Sequence, residues 1–393
     1  IYTFTLPFVM SITYQRRRMT GFLMLALLFG YSYYSRRFIH SSLSDPKLSQ
    51  EKDLTCSQRH VDLLNKNYLL SDGDFLSAES QCPQPLWLNE ILSVDMTQAN
   101  RTLTGISVGC NTGMDAIGSS RALSHNPIFS KSVWLSLMEN SSKTDLIAVC
   151  LTDKAIDEGL HADVDDMILN PQSLPKLIEY HCIEPVTTTF NALQESSEKL
   201  GLTNHGFHIH RYVVSNSSGS VLFPKGGAGV ENLGVKDCSE EFDETGSCEN
   251  VTMLTLDSFV AKHVESKNVI DTLFIDTEGF DLRVLRKARA TLERTRYLEF
   301  EYHEVWSYDE TLKDAASYLE ALDFVCYFAG IGNLLKITHG CWTERYEIRR
   351  WSNIACVRTS EASWVEIMEN YFNKTLSSFT IDESKKEQDV EGG

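Results

Sequence analysis

Residues 269–303 read VIDTLFIDTEGFDLRVLRKARATLERTRYLEFEYH. The run 269–279 is apolar enough for burial on both faces, and it closes on Asp276-Thr277-Glu278-Gly279. After it, Leu282, Leu285, Ala288 and Leu292 recur at helical spacing. YLEFEYH (297–303) then reads as a second strand. Strand, helix and strand in that order describe a parallel β-α-β unit. Outward from it the alternation continues. Strand-like runs are TLTGISVG (102–109), LIEYHCIEP (177–185) and GFHIHRYVVSN (206–216) upstream, and FVCYFAG (324–330) and NIACVRT (353–359) downstream. A helix candidate, ETLKDAASYLEAL (310–322), separates the fifth and sixth runs. The pattern predicts an α/β body over about residues 96–360 with a mostly parallel sheet. In such sheets ligands sit beyond the carboxyl ends of the strands.

The candidate site residues lie at those ends. The first strand runs into Ser107-Val108-Gly109-Cys110-Asn111-Thr112-Gly113, a two-glycine turn that lets the backbone approach a ligand. The second ends at Glu184-Pro185, where a carboxylate can accept both hydroxyls of a ribose. The fourth ends in Asp276 and Glu278, and the fifth carries Glu299, Glu301 and His303 on one face by strand alternation. Charges on a buried strand face need a partner or a task. Asp257, in TLDSF, reads as a helix N-cap. His303 is the expected general base, since an imidazole titrates near neutrality, with Asp276 orienting the acceptor or the base and Glu301 next in line. Asp276, Glu278 and Glu301 could converge on a divalent metal, though no ligand spacing compels one.

SVGCNTG, HCIEP, TLDSF, FIDTEGFDLRVLRKA and EFEYH, in this kind and order, resemble the FkbM-type methyltransferases over about residues 102–359. The resemblance implies a class I, Rossmann-like fold, with a seven-stranded mostly parallel sheet and helices on both faces. It implies S-adenosyl-L-methionine as cofactor and O-methyl transfer, here to a hydroxyl of a glycan or other small polyhydroxylated acceptor. Gly109, Asn111 and Gly113 match the cofactor turn, Ser107 is a further cofactor-binding candidate at its start, Glu184 matches the ribose acid, and Ser215 stands where the adenine end is expected. The family usually has an acid at the position of Ser107 and a Lys at that of Phe274. Gly109 and Glu184 are 75 residues apart, which implies an insertion at about 119–176, read as a helical cap over the site.

The chain has 393 residues, 42% of them apolar and 23% charged, as in ordinary globular proteins. Its net charge is −18, and residues 1–40 contain five Arg and no acid, which leaves −23 for the body. So acidic a body is a poor binder of a phosphate backbone, and no nucleic-acid partner is expected. Residues 19–35, MTGFLMLALLFGYSYYS, are uncharged between Arg16–Arg18 and Arg36–Arg37. They read as a single-pass signal anchor behind a cytosolic tail (1–18), with a cleavable signal or a transit segment as alternatives. Residues 36–95 read as a stem and lead-in helix, and 361–393 as a C-terminal tail with a disordered end. The sequons at Asn100, Asn140, Asn216, Asn250 and Asn373, and a small disulfide between Cys238 and Cys248, fit a lumenal body in the endoplasmic reticulum or Golgi. Two other functions fit such a topology. One is a glycosyltransferase using Asp163 and Asp165 on a metal–nucleotide-sugar; the other is a degenerate methyltransferase fold serving as a binding module.

Overall fold

The computed structural model describes residues 54–70, 85–95, 101–142, 175–230, 233–234, 238 and 247–391. The chain divides into two compact units, residues 1–54 and 55–393, and all described residues but 54 fall in the second. The anchor expected at 19–35 and the acids Asp163 and Asp165 lie outside the described residues. Among the described residues no helix is long and apolar enough to cross a membrane.

Two helices come first, α1 (Gln58–Leu70) and α2 (Leu86–Asp95). β1 (Leu103–Val108) is buried throughout and leads to α3 (Met114–Ser124) and α4 (Lys131–Ser142). β2 (Ile178–Ile183), α5 (Thr187–Leu200) and β3 (Phe207–His210) follow. Next is a small three-stranded sheet of β4 (Val213–Val214), β5 (Gly219–Pro224) and β6 (Cys248–Leu254). After α6 (Leu256–His263) the quoted segment forms β7 (Ile270–Ile275), two short helices α7 (Asp281–Arg286) and α8 (Arg289–Leu292), and β8 (Thr295–Tyr302). α9 (Leu312–Glu320), β9 (Phe324–Ala329), β10 (Leu334–Lys336), β11 (Ser352–Arg358) and α10 (Ala362–Glu391) complete the chain.

The main sheet has eight strands in the order β10-β9-β11-β8-β7-β1-β2-β3. β3, β2, β1, β7 and β8 are parallel, while β11 runs antiparallel to both β8 and β9. This is the class I methyltransferase-like α/β arrangement, with β10 as a strand beyond the expected seven. The chain order doubles back between β1 and β7, which opens a crevice at the ends of those strands.

Four expectations change. The run 206–216 is not one strand: β3 stops at His210, and Val213–Val214 pair with β6 in the small sheet. Arg211, at the break, pairs with Glu249 of β6 at 2.9 Å. The stem is partly body, because α1 and α2 pack on α10 and Cys56 is bonded to Cys341. The tail is also body. Trp364, Val365, Ile367, Met368, Phe372 and Leu376 of α10 are buried, and the helix packs on β10 and β11. Asp257 does not cap its own helix; Thr255 does, accepting from Ser258 N at 3.1 Å. Asp257 instead accepts from the backbone N–H groups of Ala290 and Thr291 and so fixes α8.

Of the 119–176 insertion, the described part packs beside the sheet. α4 lies on α3 and α5, and it supplies no residue lining the cleft described next.

Candidate active site

A cleft opens at the carboxyl ends of β1, β2 and β7. Its floor is the turn after β1. Gly109 has φ +77°, and a Cβ there would fall 1.7 Å from the backbone oxygen of Asp276, so only glycine lets the two strand ends meet. Asp276 N donates to Val108 O at 2.9 Å and locks the same junction. Cys110 is bonded to Cys182 in β2, which ties the turn to its other neighbour.

Glu184 stands between them, 4% exposed. Its Oε2 accepts from Asn111 N at 2.9 Å and its Oε1 from Val186 N at 2.8 Å. Each carboxylate oxygen keeps a second lone-pair direction for a ligand. Burial pushes the Glu184 carboxyl up to about 7, against the two backbone donors that hold it down. Tyr212, Val213, Val214, Phe223, Val230 and Leu233 give the cleft an apolar end.

The opposite end is acidic. Asp276, Thr277, Glu278 and Phe280 line it. The turn 276–280 is strained locally, with Glu278 at φ +53° and Gly279 at φ +90°. Asp281 holds it, accepting from Thr277 N and Gly279 N at 3.3 Å each. The Asp281 carboxyl is itself buried, which raises it to about 7. Asp276 and Glu301 are neighbours, each one residue past the register pair Ile275 and Phe300 of β7 and β8. Asp276 Oδ1 is shielded from solvent and has no hydrogen-bond partner. Burial, then the charges of Glu301, Glu278 and Asp281, raise the Asp276 carboxyl well above the usual carboxylate range. Glu301 is raised to about 8, first by burial and then by Asp281 and Glu278, with Trp351 and Asp276 pulling the other way through hydrogen bonds. His303 Nε2 lies 3.6 Å from Glu278 Oε2 and 3.6 Å from Glu301 Oε2.

The structure therefore gathers Gly109, Asn111, Glu184 and Asp276 on the cleft, with Glu301 and His303 packed behind Asp276 and Glu278. It leaves Ser107, Gly113 and Ser215 off the lining. Gly113 serves packing, since a Cβ there would press on Leu193 and Trp134. Ser107 and Ser215 are buried. Glu299, expected beside Glu301, is drawn one layer into the core. Tyr297 OH donates to it at 2.8 Å, and Trp87 Nε1 donates to Tyr297 at 3.0 Å. Ser107 and Phe274 are register partners on β1 and β7, so the family's acid and Lys would stand side by side there. This chain has replaced both members by neutral residues, which strands neither charge. Trp351 was not among the expected site residues, whereas Glu278 was. Among the described residues, no cluster of three or more His, Cys, Asp or Glu side chains has metal-binding geometry.

Strand order, glycine turn and ribose-type acid together define the class I S-adenosylmethionine-dependent methyltransferases. Residues 170–326 match the Methyltransferase FkbM domain. The segment belongs to that family, and the protein is a methyltransferase that uses S-adenosylmethionine. No curated protein has a significant match to the chain. Among solved structures, the N-terminal domain of human METTL16 in complex with SAH aligns at 10% identity, covering 70% of this chain and 68% of that one, with a TM-score of 0.28. A SAM-dependent methyltransferase from Agrobacterium tumefaciens aligns at 7% identity over 70% of this chain and 60% of its own, with a TM-score of 0.30. These likenesses are distant, and no residue role rests on them.

The cleft's own atoms fit this cofactor. Glu184 presents a buried carboxylate, Gly109 a backbone no side chain covers, and the valine-rich end an apolar seat for a base.

Proposed function

We propose that the protein transfers the methyl group to a hydroxyl of a glycan or other small polyhydroxylated acceptor. The observation that carries this reading is the make-up of the cleft. Its acceptor end is built from Asp276 and Glu278, and among its described lining residues there is no Lys, Arg or His. Such a wall accepts hydrogen bonds from hydroxyls and repels phosphates and carboxylates.

The cofactor supplies a methyl group on a sulfonium, and the acceptor oxygen that takes it must give up a proton. Glu184 and the backbone around Gly109 and Asn111 hold the ribose and its neighbours in this reading. Asp276 orients the acceptor hydroxyl, since it lines the cleft. His303 does not line the cleft, so it acts through Glu278 and Glu301 rather than on the acceptor itself. A carboxyl raised to about 8 is a far better proton acceptor than an ordinary one.

The lumenal, membrane-anchored topology belongs to the same proposal. Four disulfides among the described residues, Cys56–Cys341, Cys110–Cys182, Cys238–Cys248 and Cys326–Cys356, support an oxidising compartment. Asn140, Asn216, Asn250 and Asn373 are exposed. The glycosyltransferase and binding-module readings gain no support from the fold or the cleft.

The test is tritiated-methyl transfer from S-adenosylmethionine to a panel of neutral glycans and polyols, run beside anionic and amine acceptors. Label on hydroxyls of neutral acceptors supports the reading. Label confined to carboxylate or amine acceptors overturns it.

A further inference from the structure

Trp351 immediately precedes β11, and its indole Nε1 donates to Glu301 Oε1 at 2.5 Å. β11 pairs with β8 in a register that sets Asn353 opposite Glu301. The indole thus reaches the carboxyl from the neighbouring strand, across the sheet. Three other ionisable groups face the Asp276–Glu301 pair. His303 follows β8, Glu278 lies in the turn after β7, Asp281 opens α7, and the two carboxyls face each other. All of these titrate. The indole N–H cannot; it is a donor only. A fixed donor on Glu301 favours that carboxyl's charged form. Asp276 has no such donor on Oδ1 and faces the charges of Glu301, Glu278 and Asp281, so it keeps its proton longer.

We propose that Trp351 is a positioning residue that makes Glu301 the terminal proton acceptor of a two-carboxyl relay, with Asp276 as the member that touches the methyl acceptor. This rests on the hydroxyl-acceptor reading above. As the acceptor oxygen gains its methyl group, its proton passes to the Asp276 carboxyl on the cleft side. Asp276 releases the proton it already holds, from its other oxygen, to the Glu301 carboxylate. Asp276 ends as it began, protonated once, and Glu301 ends neutral. His303 Nε2, 3.6 Å from Glu301 Oε2, lies on the path by which Glu301 returns that proton to solvent.

The experiment follows the indole proton and needs no acceptor. The full chain, labelled with ¹⁵N on its six tryptophans, is titrated from pH 5 to 10 and each indole N–H resonance recorded. Trp351→Phe identifies the relevant resonance by its loss, and Trp351→Tyr does so if the first variant folds poorly. The expected result is one indole titrating near pH 8, with the effect abolished in Glu301→Gln and reduced in Glu301→Asp. Asp276→Asn mimics a carboxyl that stays protonated, so it should leave the midpoint within about half a pH unit. A fall of more than one unit in that variant means Asp276 ionises first, and it overturns the assigned order. A Trp351 indole that does not titrate, or that titrates unchanged in Glu301→Gln, overturns the proposal altogether. Methyl transfer supplies the functional arm: Trp351→Phe should raise the pH of half-maximal kcat by about one unit and leave KM for the cofactor alone. An unshifted profile refutes the role of Trp351. If no hydroxyl acceptor is ever labelled while the indole titrates as expected, the acceptor reading fails and the proton order stands.

Discussion

Glu184 makes the affinity for cofactor depend on pH in a way that can be worked out in advance. Burial holds its carboxyl at about 7. Two ribose hydroxyls donating to it would stabilise only the ionised form. Binding therefore selects the deprotonated protein, and affinity is full above pH 7 and falls as pH drops below it. The loss approaches tenfold per unit, so between pH 7.5 and 5.5 the Kd for S-adenosylhomocysteine should weaken about 25-fold. Proton release on binding should be visible by calorimetry at pH 6 in buffers of different ionisation enthalpy. Glu184→Gln removes the charge and turns an amide N–H toward the backbone donor of either Asn111 or Val186. Losing a charge-assisted contact of ~1.5–3 kcal/mol should weaken binding by roughly 10- to 150-fold at pH 8 and flatten the pH dependence. A thermal melt of the variant separates lost affinity from lost fold. A wild-type Kd that is flat from pH 5.5 to 8, or an equal Kd in a folded Glu184→Gln, would refute the ribose assignment.

Gly109→Ala should abolish cofactor binding and lower the melting temperature, because its Cβ would meet the Asp276 backbone oxygen; circular dichroism and calorimetry check both. Replacing Cys110 and Cys182 by Ser opens a bridge spanning 72 residues, which should cost about 4 kcal/mol in a denaturant titration and weaken cofactor affinity as well. Glu184, Asp281 and Glu299 sit at about 7 and Glu301 at about 8, all above their ordinary values. Raised acids stabilise the fold when protonated. Their contribution is complete below the ordinary carboxylate range and is lost as pH rises through 7 to 8, so the cofactor-free protein should melt lower at pH 8.5 than at pH 5.5.

The strand–helix alternation was legible because β1, β7 and β9 are buried along most or all of their length, and such strands show as continuous apolar runs. The glycine turn and the Asp276-Thr277-Glu278-Gly279 segment were legible for a related reason: few residues tolerate that backbone. α10 was not legible because its second half is charged, although Trp364, Met368, Phe372 and Leu376 are buried along one face. The break after His210 depends on Arg211 finding Glu249 in β6, a partner 38 residues away. Cys238–Cys248 was visible from its short spacing, whereas Cys56–Cys341 joins residues 285 apart. Trp351 could not be read into the site at all. Its contact with Glu301 exists only through the pairing of β11 with β8, and register between distant strands leaves no local mark.

Cys110 sits inside the cofactor turn itself, one residue from the glycine that touches Asp276 and one from the amide that holds Glu184. A loop so tethered has lost its freedom before any ligand arrives. The entropy of ordering it belongs to maturation of the chain rather than to each catalytic cycle. Cofactor exchange can then be quick without being weak, since neither arrival nor departure has to remake the turn. The same tether means that a chain with Cys110 and Cys182 still reduced would carry every residue of the cleft and lack the rigidity that makes it a receptor.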